Sequence, residues 1–351
     1  LPHKNSYRSS TIIAIEARVG SVNLDNVIFS EYTFSKEILD LALRYGYEPD
    51  IMYRYVEILG FEGAEMLVNS NNTPLPETFR CNDYLIDCNV LVKRLESKGF
   101  KLEKLQLAPH GFRVLYEPIP IGATHEYLLG YYYIQDPGSM LVVYILEPEP
   151  GELILDMAAA PGGKATQILQ LTRDKARLVA VDISRRRLRA LRSHMQRMGF
   201  TNYLIVKANS RMLPEDLKYD RVLLDAPSSG EGIIRKDPKR KMRGRREDIK
   251  RIHELQYSLL MKAYRLTRED GVIVYAACST AVEEGEYVIN KLLESTSNIY
   301  VEKPKIEGLS SGITSYRGVE FNSEVSKCSR LWPHIHGTEG FFICRLRVSR
   351  R

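Results

Sequence analysis

The chain has 351 residues, 44% hydrophobic and 27% charged, with a formal net charge of +6. That length suits two or three domains, and the composition excludes wholesale disorder and fibrous classes. No apolar run approaches the roughly 18–20 residues of a membrane span, and the N-terminus lacks a basic-then-apolar secretory signal. Five well-separated cysteines point to neither a disulfide framework nor a zinc site. A cytoplasmic, reducing environment is therefore expected, with no membrane, no metal and a monomeric state.

Residues 1–34 carry no sustained periodicity and read as an extension or loosely attached segment. Over 35–76 the pattern is helical. Ser35 caps a helix bearing Ile38, Leu39, Ala42 and Tyr45 that stops at Gly46, and Pro49 opens a second that stops at Gly60. A short third helix is expected to end by Asn69, and the polar stretch to Pro76 marks a boundary. Residues 77–120 form a small α+β unit, with strands at Thr78–Cys81, near Lys101–Leu105 and at Phe112–Tyr116, and a helix at Cys88–Lys98. It has the size of an RNA-recognition-like module without that module's aromatic signature.

Residues 121–351 form the largest unit, and after Gly151 strands and helices alternate. Strands are expected at Leu153–Met157, Leu178–Asp182, Tyr203–Lys207, Arg221–Asp225 and Gly271–Ala277. Helices fall at Gly163–Leu171, Ser184–Met198, Glu247–Leu266 and Glu283–Glu294. Apolar runs such as LVAVD and GVIVYAA are strands covered on both faces. The fold class is doubly wound α/β with a mostly parallel, Rossmann-like sheet. Ligands of such sheets bind beyond the strands' carboxyl ends.

The positive charge is concentrated in one place. Residues 235–251 hold ten Lys/Arg against three acids, a local +7. The remaining 40 basic and 41 acidic residues nearly cancel. A solvated loop and a phosphate clamp both fit such a run by itself.

The turn after the first strand runs from Asp156 to Lys164. Ala158 and Ala160 deny it the G-x-G-x-x-G of dinucleotide folds, and Ala158 with Ala165 denies it a P-loop. Its small residues let a ligand without a diphosphate approach the helix start. Asp182, closing the second strand, can accept hydrogen bonds from ribose hydroxyls, or simply cap the next helix. A small-residue turn plus such an acid suits S-adenosylmethionine. Lys164 lies in a helix's first turn, where a cation opposes the dipole, which makes sense if it meets an anion or a polarised base.

These residues resemble a known family. LDMAAAPGGKATQ (155–167), VAVDIS (179–184), LLDAPSSGEGIIRKDP (223–238), YAACSTAVEEGE (275–286) and RLWPHIHGTEGFF (330–342) are similar to the Sun/nucleolar-protein family of RNA cytosine-5 methyltransferases. GYYYIQDPGSML (130–141) resembles the segment before that family's catalytic domain. The resemblance implies S-adenosylmethionine as donor and a cytosine in rRNA or tRNA as acceptor. It implies a cofactor pocket of Ala158, Ala159, Ala160, Pro161, Gly162, Lys164, Asp182, Arg187, Asn209 and Asp225. Asn209 stands where the family has Asp, and an amide still pairs with adenine. The nucleophile maps to Cys278, with Asp225 and Lys164 holding the target base. His334 and Gly340 lie in the C-terminal motif.

The chemistry asks for such groups independently. Carbon 5 of cytosine is a poor nucleophile until a thiolate, partly present near neutral pH, adds to carbon 6. Asp225, protonated or sharing a proton at ring nitrogen 3, then stabilises the enamine. Ser228 departs from the family's second cysteine, which helps expel the nucleophile after methyl transfer. Ser228 is a poor base, though it can orient a water. The basic run follows this motif directly and reads as an RNA-backbone clamp of Arg235, Lys236, Lys239, Arg240, Lys241, Arg243, Arg245 and Arg246. The Arg-rich helix face of Arg185–Arg197 is a lesser candidate. Two competing functions are a catalytically silent RNA-binding or assembly factor, suggested by Ser228, and a methyltransferase for a non-RNA substrate.

Overall fold

A computed structural model describes residues 23–349. The expected extension therefore lies mostly outside the described residues. Residues 23–34, however, are not loosely attached. They form a helix, Leu24–Ile28, whose Ile28 and Phe29 sink into the large domain's core. Asp25 fastens it, accepting from Tyr287 at 2.6 Å and Lys291 at 3.0 Å. Five residues are too few to display a helical period, so this docking left no pattern to read.

Ser35 caps the helix Lys36–Tyr45, accepting the Ile38 N–H, and Gly46 ends it in the left-handed region at φ 69°. The next helical stretch, Pro49–Asn71, is broken at Gly60 (φ 69°, ψ 176°), as the sequence suggests, and runs two residues beyond Asn69. Its Arg54 is fully buried and ion-pairs with Glu231 at 2.6 Å. That bond ties the helical segment to the loop after the fourth large-sheet strand.

The small unit is a four-stranded antiparallel sheet in the spatial order Lys101–Lys104, Gly111–Tyr116, Thr78–Cys81 and Tyr132–Ile134. The helix Cys88–Glu96 covers one face through Leu91 and Leu95, against Phe79, Phe112 and Tyr132. Its fourth strand comes from beyond residue 120. Two disulfides contradict the expectation from cysteine spacing. Cys81, ending a strand, meets Cys88, opening the helix that folds back over it. Cys328 meets Cys344 because the antiparallel pairing of Ser329–Leu331 with Phe341–Val348 closes the intervening loop. Neither closure is visible in linear spacing, and the cysteine argument for a reducing compartment lapses with them.

Among the described residues the large sheet has nine strands. Five are parallel, in the order Tyr203–Lys207, Arg177–Asp182, Leu153–Asp156, Tyr219–Asp225 and Thr267–Ala277. Phe341–Val348 runs antiparallel to the last of these and carries Ser329–Leu331 and Ile299–Glu302 on its far edge. Alternation along each strand splits the core in two. Leu155, Val222, Leu224 and Ile273 face the helices Arg246–Leu266 and Glu286–Ser295. Ile154, Leu223, Val272 and Val274 face Pro137–Leu146, Gly163–Leu171 and Arg185–Arg197. The strand order reverses direction between Leu153–Asp156 and Tyr219–Asp225, and a crevice opens beyond their carboxyl ends.

Candidate active site

That crevice holds a cavity of about 250 Å³, lined by Asp156, the 158–164 loop, Asp225 and Cys278, with Tyr133–Asp136 and Phe341 closing it. The loop owes its path to small residues. A Cβ on Gly162 (φ 118°) would stand 2.9 Å from Leu191, and one on Gly163 would stand 3.2 Å from the Tyr133 ring. Larger residues would push the loop into the space a ligand needs.

Lys164 does meet an anion. Its Nζ donates to Asp225 Oδ2 at 2.8 Å and lies 5.6 Å from the centre of the Phe341 ring. Burial disfavours its charge, but Asp225 and Cys278 more than offset that and hold its pKa above the usual value. Asp225 is paired in register with Ala276, so Cys278 emerges beside it from the adjacent strand end. Burial pushes the Cys278 thiol well up, Asp225 adds to the rise, and Lys164 opposes it. Burial and Asp225 thus disfavour the thiolate that unperturbed cysteine chemistry would partly populate.

The two loops that carry Ser228 and Cys278 are clamped together. Cys278 carbonyl oxygen accepts the Gly232 N–H at 3.1 Å and faces Ser228 Oγ at 3.4 Å. The buried Glu284 carboxylate accepts from Ser229 N–H at 2.8 Å, Ser279 Oγ at 2.7 Å and Gln256 at 3.0 Å. Ser228 itself stands outside the cavity lining, turned to this backbone.

Asp182, Arg187 and Asn209 also lie outside that lining, toward the second and third strands. Asp182 accepts the Ser184 N–H at 2.8 Å and pairs with Arg187 at 3.3 Å. Arg187 donates in turn to the Ala160 carbonyl. The helix cap itself is Ser184, so Asp182 is not consumed by capping. Asn209 Oδ1 accepts the Arg211 N–H at 3.2 Å, which leaves its amide nitrogen for another partner. Asp156 went unassigned as a site residue in the sequence. It is buried, one of its carboxylate oxygens has no hydrogen-bond partner, and burial followed by the Asp225 charge raises its pKa to about 7. A small-residue cradle, an orphaned carboxylate oxygen and an acid at the second strand end fit S-adenosylmethionine, which brings hydroxyl and amine donors and no phosphate.

Residues 143–347 match the family model of the 16S rRNA methyltransferase RsmB/F, and residues 49–137 match the N-terminal domain of 16S rRNA methyltransferase RsmF. A methyltransferase homologue from Pyrococcus horikoshii has a crystal structure 35% identical in sequence. It superposes with a TM-score of 0.81, covering 90% of this chain and 100% of that one. The chain belongs to the RsmB/F methyltransferase family. The 25S rRNA (cytosine-C(5))-methyltransferase nop2 of Schizosaccharomyces pombe is 34% identical, over 91% of this chain and 53% of that protein. The human 28S rRNA (cytosine(4447)-C(5))-methyltransferase is 33% identical, over 97% of this chain and 42% of that protein. The chain thus spans about half the length of these curated relatives.

Within this family member, the basic segment is less free than its composition suggests. Lys236 lines the cavity and pairs with Glu339 at 2.8 Å. Arg240 bonds the Ser229 carbonyl at 2.6 Å, and Lys241 bonds Asn72 at 2.6 Å while lying over the Tyr47 ring. Arg245 pairs with Glu48 at 3.3 Å, the Arg246 N–H is taken by Asp50 at 2.8 Å, and Arg235 donates to the Thr73 carbonyl at 2.9 Å. Much of the run therefore pins the helical segment to the active-site loop. Lys239 and Arg243 have no side-chain partner among the described residues and stay exposed. The resemblance pointed to the QDPGSM and GTEGFF stretches, but not to the carboxylates they bring to the cavity, Asp136 and Glu339. Burial and Glu339 push Asp136 up. His336 Nδ1 accepts the Trp332 N–H at 2.8 Å, and the ring also bonds the Gly308 backbone.

Proposed function

We propose that this chain methylates carbon 5 of cytosine in RNA, with S-adenosylmethionine as donor and Cys278 as a covalent nucleophile. Ribosomal RNA is the favoured substrate, since that is what the names of its full-length relatives specify. The observation that carries the reading is the convergence of Cys278, Asp225 and Lys164 on one cavity beside the small-residue loop.

Asp182 would hold the ribose, Asn209 the adenine, and the Ala158–Gly162 loop the remainder of the donor, which supplies an electrophilic methyl group when bound. Cys278 Sγ bonds to carbon 6 while its proton passes by way of Asp225 to ring nitrogen 3, leaving an electron-rich carbon 5. Lys164, fixed on Asp225, orients that carboxylate and favours the departing thiol proton. After methylation a base removes the carbon-5 proton, the double bond re-forms, the sulfur–carbon bond breaks, and the ring-nitrogen-3 proton returns by way of Asp225 to the departing sulfur. Covalent catalysis divides one hard substitution into easier steps.

Incubation with labelled S-adenosylmethionine and RNA, followed by bisulfite mapping, tests the reading. Labelled 5-methylcytosine at a defined position supports it. RNA binding with no methyl transfer would favour a silent assembly factor, the reading for which Ser228 is the one favourable feature.

A further inference from the structure

The helix Arg185–Arg197 and the edge strand Tyr203–Lys207 lie outside the machinery described above, apart from Arg187. Over 184–207 the chain carries six arginines and one lysine and not one acid. Two of these cations are accounted for. Arg187 serves Asp182 and Ala160, and Arg197 is folded onto the Tyr127 carbonyl and ring. Arg185, Arg186, Arg189, Arg192 and Lys207 have no hydrogen-bond or ion-pair partner among the described residues, and all are exposed.

A merely solvated helix face would not be built this way. Arg185 and Arg186 sit in the first turn, against the helix dipole, and Arg185 and Arg189 repel each other one turn apart. The helix Arg246–Leu266 of the same protein shows the usual remedy. It has Glu247 and Asp248 in its first turn, and Arg246–Glu247 and Arg251–Asp248 pairs at 2.7 and 2.5 Å. The Arg185–Arg197 face has no such relief, which is favourable only if an anion arrives from outside.

The shape is that of a channel. Arg185, Arg189 and Arg192 line one side of a groove of about 460 Å³, and Lys207 lines the other, over a floor of Leu188 and Ile205. From Arg185 to Arg192 the stripe runs about 10 Å at the helical rise of 1.5 Å per residue. Its upper end lies just beyond Asp182, at the same strand ends as the cavity. The strand order puts it on the opposite side of the cavity from residues 235–251, which follow the fourth strand. The two cationic surfaces therefore flank the Cys278 cavity.

We infer that this groove seats the phosphodiester backbone of the RNA strand flanking the cytosine that enters the Cys278 cavity. The inference rests on the RNA methyltransferase reading above. It assigns backbone grip to a surface whose cations are free, where those of the 235–251 segment are largely engaged.

The test is the full chain carrying Arg185→Gln, Arg189→Gln and Arg192→Gln, compared with the parent for RNA binding at several salt concentrations, methyl transfer and melting. RNA affinity should fall about tenfold or more, and the log–log salt slope should shrink by roughly 0.7 for each single-strand phosphate no longer neutralised. KM for RNA should rise with kcat within about twofold, and the melting temperature should hold or rise as repulsion is removed. A photo-crosslinking residue at position 189 should capture RNA. If the parent binds and methylates RNA but the variant keeps its affinity and slope, the groove is not the seat. Crosslinking to an acidic protein in place of RNA would overturn it as well. A parent that neither binds nor methylates RNA would instead overturn the reading beneath it.

Discussion

At the residue scale, the proposed chemistry turns on the Cys278 thiol and the Lys164–Asp225 ion pair beside it. Cys278→Ala should abolish both methyl transfer and the covalent protein–RNA adduct while leaving donor affinity within a few-fold, because in the proposed mechanism the thiol attacks the base. Asp225→Asn should lose activity by ~10²–10⁴-fold, the usual worth of a positioned acid–base group. Because the proposed step hands the thiol proton to the base and not to solvent, the rate of adduct formation should stay flat with pH below the thiol pKa, which burial and Asp225 raise. Lys164 orients Asp225, so Lys164→Met should lower that flat rate in single-turnover measurements. An unchanged rate would remove Lys164 from the step. Ser228 tests release. Ser228→Cys should shorten the life of the adduct on a denaturing gel, and Ser228→Ala should lengthen it if the hydroxyl positions a water. Equal lifetimes for all three residues would exclude position 228 from release.

At the scale of elements, the basic segment divides by what its side chains touch. Lys239→Gln with Arg243→Gln should lower RNA affinity and salt slope while leaving melting unchanged, because neither side chain has a partner among the described residues. Lys241→Ala should act the other way, lowering the melting temperature by removing its bond to Asn72 and its seat on the Tyr47 ring. The helix Arg246–Leu266 carries its own pH sensor of stability. His253 is buried between Phe29 and Tyr287, its Nδ1–H donates to the Glu283 carbonyl at 2.7 Å, and burial lowers its pKa to about 4. The unfolded chain therefore binds the extra proton between about pH 6.5 and 4. Stability should be whole above that window and fall through it, by at most roughly 1.4 kcal/mol per pH unit. Denaturant melts of His253→Gln across that range should show a flatter profile than the parent.

At the scale of the whole molecule, Arg80 couples the small sheet to the helix Gly163–Leu171. It is fully buried and donates to Gln170 at 2.8 Å, the Gly163 carbonyl at 2.8 Å and Thr166 at 2.9 Å. Gly163 adjoins the cavity loop, so the small sheet braces the site from behind. Arg80→Met would strand several buried acceptors at ~1–3 kcal/mol each. It should lower the melting temperature by several degrees and weaken S-adenosylmethionine binding in calorimetry. Unchanged donor affinity in a folded variant would mean that the small sheet does not brace the loop.

Local rules were enough for much of this protein. Ser35, Gly46 and Gly60 act on their own backbone, so the helix limits they set are legible in a linear string. Four of the five parallel strands announce themselves as short apolar runs because both faces are covered, whereas the edge strand Tyr203–Lys207 is partly exposed. The site motifs at three strand ends were legible too, since a doubly wound sheet gathers carboxyl ends along one crevice. What only the tertiary structure decided depends on neighbours far apart in sequence. The anchoring of residues 23–34 through Asp25, the closure of Cys328 on Cys344, the upward push on Cys278 and the orphaned Asp156 oxygen all arise from packing. So does the contrast between engaged and free arginines. Composition counts charges, but only a fold determines which of them already have partners.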